Sequence, residues 1–298
     1  MNDAAASYCI GWWNVRASEA LDTTELHVSY VAAAIHEMKE RHALDVLFLG
    51  EVSDAFINEL RPLVKRDGFR LVRSGGKVDF GLAAAYNTET LSLNSSSLKS
   101  VIHRYGKDTR KIAQRVDIKL QGGDSVRFYF LHWPSRVYNP ADTGLRSEMA
   151  GYLQNAIARH RGGATEKLVI VLGDFNDEPN DMPMRKLLTT RHVHMAQKED
   201  FLFYNPFWRF LIDPVPYARD GREARPQGTY YYTGGKTHYW HILDQMLFSS
   251  TFFGSSSWHL AEDRTMIFEL PGICEIGPKT KTSIDHLPIL AAIERAGE

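Results

Sequence analysis

Cysteine is scarce: 298 residues carry two, Cys9 and Cys274. Two thiols cannot staple a chain of this size, so a disulfide scaffold is excluded, and the pair reads as small apolar groups in a reducing compartment. Net charge is scarce as well. Lys and Arg number 35 against 36 Asp and Glu, a formal charge of −1. That excludes a whole-protein basic field and confines any nucleic-acid contact to a local patch. Long apolar runs are missing: Val46–Leu49 and Leu168–Leu172 are far short of the ~20 residues of a membrane-spanning helix. Met1-Asn2-Asp3-Ala4 lacks the basic-then-apolar pattern of a signal peptide. The expectation is a soluble, cytoplasmic protein with no membrane-spanning segment. At 44% hydrophobic and 24% charged, the composition is that of a globular protein and excludes disorder, collagen and coiled coil. With no internal repeat and no linker-like stretch, residues 1–298 read as a single domain. Oligomeric state leaves no mark in the sequence.

Short apolar runs alternate with helical patterns along the chain. Tyr8–Trp13, Leu44–Leu49, Phe69–Arg73, Leu82–Tyr86, Leu168–Leu172, Ile242–Phe248 and Leu287–Ile293 read as buried strands. Val116–Leu120 and Val126–Leu131 predict a hairpin around Gly122-Gly123, and Gly75-Gly76 a turn. Val28, Val31, Ile35 and Met38 recur at three- and four-residue spacing, a single helix face, with Asp22-Thr23-Thr24 as N-cap candidates. Ala55–Lys65 and Arg146–Arg161 read as further helices, and Asn94-Ser95-Ser96-Ser97 as a surface loop. Neighbouring strands mixed with a few helices predict α+β: two packed, mostly antiparallel sheets covered by helices.

The chemistry collects at strand ends. Asn14, Glu51, His132 and Asp174 each close a predicted strand, Asp285-His286 precede one, and Asp244 sits near the start of another. Any one of them alone reads as a turn former or a solvated strand end. Six strand ends so occupied in one chain point to a common edge of the sheets. Glu51, Asp174, Asp285 and Asn176 are hard oxygen donors suited to Mg²⁺, Mn²⁺ or Ca²⁺. His132 and His286 can transfer protons near neutral pH. Oxygen ligands with an acid–base histidine suit attack of water on phosphorus.

These residues resemble the endonuclease/exonuclease/phosphatase superfamily, the DNase I-like fold. The matching segments are Trp12-Trp13-Asn14-Val15-Arg16, Gly50-Glu51-Val52, Leu131-His132, Gly173-Asp174-Phe175-Asn176, Leu243-Asp244-Gln245 and Ser283-Ile284-Asp285-His286-Leu287-Pro288. The Gly-Asp-Phe-Asn run with a late Asp-His is specific in combination. The resemblance implies a four-layer α/β/β/α sandwich and a divalent-metal-dependent phosphodiesterase using Mg²⁺, with Mn²⁺ as the alternative. It implies Glu51 as metal ligand, and Asn14 and Asn176 as amides positioning phosphate, metal or water. It further implies Asp174 as the carboxylate handling water or metal, and Asp285 as a metal-side or supporting carboxylate. By the same resemblance, His286 oriented by Asp244 is the general base or phosphate stabiliser, and His132 a general acid. Arg16 stands where abasic-site endonucleases carry Asp and resembles the Asn-x-Arg of the DNase I branch. Asp79 is the candidate partner of His132.

Among substrates, nucleic acid is favoured. Arg110, Lys111 and Arg115 cluster before a strand, and Arg136 and Arg146 could extend a basic groove. A sphingomyelinase-like activity is the alternative, supported only by the aromatic run Phe201–Trp208, which otherwise reads as a loop pinned into the core. An inositol-phosphate-directed enzyme fits Asn176-Asp177-Glu178 and Leu243-Asp244-Gln245 less well. A catalytically silent binding module would require loss of residues that are all present. Gly234-Gly235-Lys236-Thr237 lacks the first glycine of a phosphate-binding loop. His192-x-His194 and His238-x-x-His241 read as surface, loop or strand positions rather than metal sites.

Overall fold

A computed structural model of the chain describes residues 6–18, 25–73, 78–106, 108–136, 144–161, 168–211, 219, 226–232, 234–270 and 284–296. Four of the sequence expectations, the caps Asp22-Thr23-Thr24, the turn Gly75-Gly76, the thiol of Cys274 and the serine of the final motif, Ser283, lie outside these residues. The chain begins with strand β1 (Ser7–Ala17), helix α1 (Glu25–His42), β2 (Leu44–Val52) and α2 (Asp54–Lys65). Five strands follow: β3 (Phe69–Arg73), β4 (Leu82–Asn87), β5 (Leu91–Tyr105), β6 (Asp108–Leu120) and β7 (Ser125–His132). Then come α3 (Leu145–Arg161), β8 (Leu168–Asp174), α4 (Met182–Lys186), β9 (Thr189–Thr190), α5 (Val193–Lys198), β10 (Phe203–Tyr204) and α6 (Trp208–Leu211). Strands β11 (Tyr230–Tyr231), β12 (Trp240–His241), β13 (Asp244–Ser249), β14 (Trp258–Ile267) and β15 (Ile289–Arg295) complete the order.

Two large sheets result. One runs β14-β15-β1-β2-β4-β3, the other β5-β6-β7-β8-β13-β10-β9. Pairings are antiparallel except β1 with β2, β7 with β8 and β9 with β10. Strand alternation explains the layering. In β2, Val46 and Phe48 face the core between the sheets, while Leu47 and Leu49 face the layer of α1 and α2. In β8, Ile170 and Leu172 face the same central core, and Val169 and Val171 face α3. Both faces are covered, so these strands read as continuous apolar runs; each fully buried side chain such as Phe48 contributes ~1.5–3 kcal/mol. The predicted α1 face, Val28, Val31, Ile35 and Met38, is buried, and the Ser53 hydroxyl caps α2 by accepting the Phe56 N–H at 3.2 Å. The four-layer α+β sandwich expected from the sequence is the fold observed.

Two strand readings need correction. Asn94–Ser97 is no surface loop but part of β5, at a shift of register against β6 between Asn94 and Lys99. Ser97 holds this bulge: its hydroxyl accepts the Asp117 N–H at 2.7 Å and donates to the Asn94 carbonyl at 2.6 Å. Strand β14 was not anticipated, because its register shifts between Ala261 and Met266, where Glu262, Asp263 and Arg264 break the alternation of an edge strand.

Candidate active site

Topology alone brings the chemical residues together. Strands β1 and β2 run parallel, as do β7 and β8, so Asn14, Glu51, His132 and Asp174 lie toward the same edge. Strand β13 runs against β8 with Asp244 opposite Asp174, and β15 runs against β1 with Ile289 opposite Trp12. The starts of β13 and β15 therefore deliver Asp244 and His286 to that edge. There a cleft of about 550 Å³ opens between the sheets, and Glu51, His132, Asp174, Asn176, Asp285 and His286 line it together with Arg16, Arg136, Tyr230 and Tyr232.

The backbone is bent to present these groups. Of the five non-glycine residues with positive φ among the described residues, Arg16 (49°), Glu51 (54°) and Asn176 (52°) stand in the cleft. Such conformations cost about 1–3 kcal/mol each and persist where the surroundings enforce them. Gly173, with φ of 153°, has no room for a side chain: a Cβ would lie 2.1 Å from the Leu131 carbonyl oxygen. That close approach sets His132 beside Asp174 in register.

Asp174 Oδ2 is the meeting point. The Asn14 amide donates to it at 3.1 Å and to Glu51 Oε1 at 3.0 Å. His132 Nε2 lies 3.7 Å from it and 3.5 Å from Glu51 Oε1. His286 Nε2 lies 3.8 Å away on another side. The second oxygen, Oδ1, accepts the Asn176 N–H at 2.8 Å, and the Asn176 amide donates to the Trp133 carbonyl at 2.8 Å. Burial, then repulsion from Asp244, pushes the Asp174 carboxyl up to about 6 against the pull of both histidines.

Behind this layer Asp244 is fully buried with both oxygens in use, Oδ1 accepting Trp12 Nε1–H at 2.7 Å and Oδ2 bonded to His286 Nδ1 at 2.7 Å. The Thr229 hydroxyl accepts the Leu243 and Asp244 N–H groups, fixing that strand start. Burial opposes charge on the His286 ring, but the charge and hydrogen bond of Asp244, joined by Asp174 and Asp285, together outweigh it and push the ring up to about 10. The surroundings therefore favour the protonated ring.

The donor set fits a divalent cation. Glu51, Asp174 and Asp285 face one cleft, and burial, reinforced by Glu51, raises the Asp285 carboxyl although Arg16 bonds it at 2.7 Å. Glu51 and Asp285 keep about a quarter of their side chains exposed (25% and 28%) and are accessible to an ion, unlike Asp244. Asp174, Asp244 and His286 also bring one ligand atom each within 4.8 Å of one another, but the oxygens of Asp244 are already committed.

Other expectations are not met. Asp79 does not face His132; it bonds Arg73 at 2.6 Å and the Gly81 N–H. Arg146 is buried and bonds Asp177 through two nitrogens, so it extends no groove. Arg110 pairs with Glu148 of α3, and Arg115 sits opposite Tyr129, which belongs to the apolar layer under α3. Neither lines the cleft. Arg136 does, while engaged by the Asn176 carbonyl, Asp177 and Asp181. The aromatic run is largely core: Phe203, Tyr204 and Phe207 are buried, and Phe207 belongs to the central layer. The sphingomyelinase-like reading thereby loses its support. The aromatics that do reach the cleft, Tyr230 and Tyr232, were missed; their rings stack 6.5 Å apart, and Tyr230 lies 4.7 Å from the His286 ring. Their signal was the run Tyr230-Tyr231-Tyr232 beside Gly234-Gly235.

Comparison with known proteins agrees with this fold. The model of the Endonuclease/Exonuclease/phosphatase family matches residues 11–265. No curated protein matches the sequence closely enough to count as a relative. Solved structures do resemble it. An endonuclease/exonuclease/phosphatase family protein from Bacteroides thetaiotaomicron aligns with a TM-score of 0.62 at 14% identity, covering 98% of this chain and 96% of that one. The human Nocturnin catalytic domain with bound sulfate aligns at 0.59 and 17% identity, covering 97% and 94%. D. rerio TDP2 complexed with single strand DNA product aligns at 0.58 and 14%, covering 97% and 99%. At these identities the likeness is one of fold. No helix among the described residues is long and apolar enough to cross a membrane.

Proposed function

We propose that this chain, which belongs to the endonuclease/exonuclease/phosphatase family, is a Mg²⁺-dependent phosphodiesterase that hydrolyses nucleic acid as one catalytic domain. The observation that carries the reading is the convergence of Asn14, His132 and His286 on Asp174 Oδ2 in an oxygen-lined cleft. Glu51 is the chief ligand in this scheme, with Asp285 beside it, and Mn²⁺ suits the same oxygens. Asn14, expected among the ligands, instead turns its amide nitrogen to Glu51 and Asp174 while its Oδ1 accepts the Arg16 N–H, so it orients the carboxylates. The cation, when bound, spreads the charge that develops on the phosphoryl oxygens.

The remaining work falls to the chain. Asp174 accepts the proton of the attacking water, a role suited to a carboxyl held near 6. His286, charged and locked by Asp244, donates from Nε2 to a phosphoryl oxygen and stabilises charge there. His132 lies across the cleft on a less constrained ring and delivers a proton to the departing oxygen. Asn14 and Asn176 hold the Asp174 carboxylate in place from two directions. Arg16 and Arg136 offer positive charge at the rim. Nucleic acid is favoured because Tyr230 and Tyr232 present aromatic rings beside the phosphate position, and bases stack on such faces for ~1–3 kcal/mol each. The structurally similar D. rerio TDP2, in complex with a single strand DNA product, supports the same choice.

A panel with Mg²⁺ tests this directly: single-stranded DNA, duplex DNA, RNA, bis-p-nitrophenyl phosphate and sphingomyelin. Turnover of a nucleic acid well above that of sphingomyelin, abolished by EDTA, is the expected result. Hydrolysis of the small diester alone would restrict the reading to a phosphodiesterase of small substrates and overturn the nucleic-acid assignment.

A further inference from the structure

Outside the carboxylate-rich centre, a second set of metal-ligating side chains sits where the hairpin β11–β12 meets the loop after β8. Glu178, His238 and His241 each bring one ligand atom within 4.8 Å of the others. We infer that these three residues form a separate site for a transition metal of the zinc kind, which clasps the hairpin to the β8 loop.

The donor chemistry differs from that around Glu51. Two imidazoles and one carboxylate suit Zn²⁺, whereas Mg²⁺ prefers an oxygen shell with retained water. The geometry is close to that required. Zinc bonds of ~2.0–2.2 Å place tetrahedral ligand atoms about 3.4 Å apart, and Glu178 Oε1 already lies 3.1 Å from His241 Nδ1. The His238 and His241 rings lie 4.5 Å apart at 58°, so they converge rather than stack. Thr237 Oγ1 sits 3.0 Å from His238 Nδ1, the outer bond that orients a ligating imidazole and leaves Nε2 for a metal. Asp181 Oδ2 accepts the Glu178 N–H at 2.8 Å and fixes the loop from behind. Glu178 and His238 also line a second cavity of about 490 Å³, which leaves room for water as a fourth ligand.

The position gives the clasp a consequence. His241 pairs with Tyr230 in the hairpin, and Tyr230 forms a β-bridge to His286. A metal on His241 therefore fixes the strand that carries Tyr230 against the cleft. His241 lines the cleft itself, so the site lies in the wall between the two cavities.

The test uses the full chain, stripped of metal and returned to excess Mg²⁺, titrated with Zn²⁺ by calorimetry. One equivalent should bind. Affinity should fall ~10-fold or more in His238→Ala and in Glu178→Gln, and should be unchanged in Glu51→Gln. His238 is exposed, so its replacement does not threaten folding. As a second readout, trypsin cleavage at Lys236–Thr237, followed by mass spectrometry, should slow on adding Zn²⁺ to the parent but not to His238→Ala. Equal zinc binding by the parent and both variants, loss confined to Glu51→Gln, or no binding at all would overturn the inference.

Discussion

His132 and His286 approach the same oxygen, Asp174 Oδ2, at 3.7 and 3.8 Å, yet the two sides of the cleft are built differently. His286 keeps 8% of its side chain exposed and is locked through Nδ1 by an Asp244 that has no exposure at all. His132 is 25% exposed and faces carboxylates only at ion-pair distance, 3.5 Å from Glu51 and 3.7 Å from Asp174. The first arrangement fixes charge and direction before substrate arrives. The second leaves a partly exposed ring with no carboxylate at hydrogen-bond distance behind it. The contrast teaches that one residue type at two strand ends can be given a buried, carboxylate-locked setting on one side and an open one on the other, the division of labour that the proposed mechanism uses.

The largest effect is expected where the two sides meet. Asp174→Asn removes the proposed proton acceptor and the anion between both histidines, and turnover should fall by ~10⁴, read from single-turnover hydrolysis of an oligonucleotide. A loss below tenfold would show that the two sides do not share this oxygen. On the rigid side, His286→Ala and Asp244→Asn should each lower kcat by ~10²–10⁴ with little change in substrate affinity. The double variant should be scarcely worse than the worse single; multiplicative losses would mean the residues act independently.

The locked side also leaves a signature in stability. Its ring is raised from an ordinary 6.5 to about 10, burial being outweighed by Asp244 together with Asp174 and Asp285. The folded protein thus binds a proton that the unfolded chain releases near 6.5. This contribution to stability is fully present below 6.5 and is lost as pH rises through about 10. Urea unfolding without metal from pH 6 to 10 should show that decline in the parent and a smaller one in Asp244→Asn. His132→Ala should cost less than His286→Ala, ~10²-fold, and the loss should be smaller for a substrate with a good leaving group such as bis-p-nitrophenyl phosphate. Smallest of all, Arg110→Ala with Arg115→Ala should change turnover by less than about twofold, because neither side chain lines the cleft; a strong loss of DNA binding would restore the basic groove.

Much of this site is legible in the sequence because strand ends are. Asn14, Glu51, His132 and Asp174 each follow an apolar run, so pattern and position coincide. Arg110 and Arg115 mislead because a cluster in sequence spreads over a strand, and Glu148, the partner of Arg110, lies 38 residues away. The aromatic run states that large rings are present but not where they go; the pairing of β10 with β13 decides that, and it is non-local. Tyr230 and Tyr232 escape for the opposite reason, since a two-residue strand carries no period to read. The bulged β5 and β14 hide for want of alternation.

The claim at the centre is that a divalent cation on Glu51 works with Asp174 and the two histidines. Its most direct test is Mg²⁺ titration of oligonucleotide hydrolysis by the parent and by Glu51→Gln, with folding checked by circular dichroism. The account predicts that the parent saturates with Mg²⁺ and stops in EDTA. The folded variant should lose most of its activity at ordinary Mg²⁺ and recover part of it only at much higher concentration. Equal rates for the two proteins, or undiminished hydrolysis in excess EDTA, would contradict it.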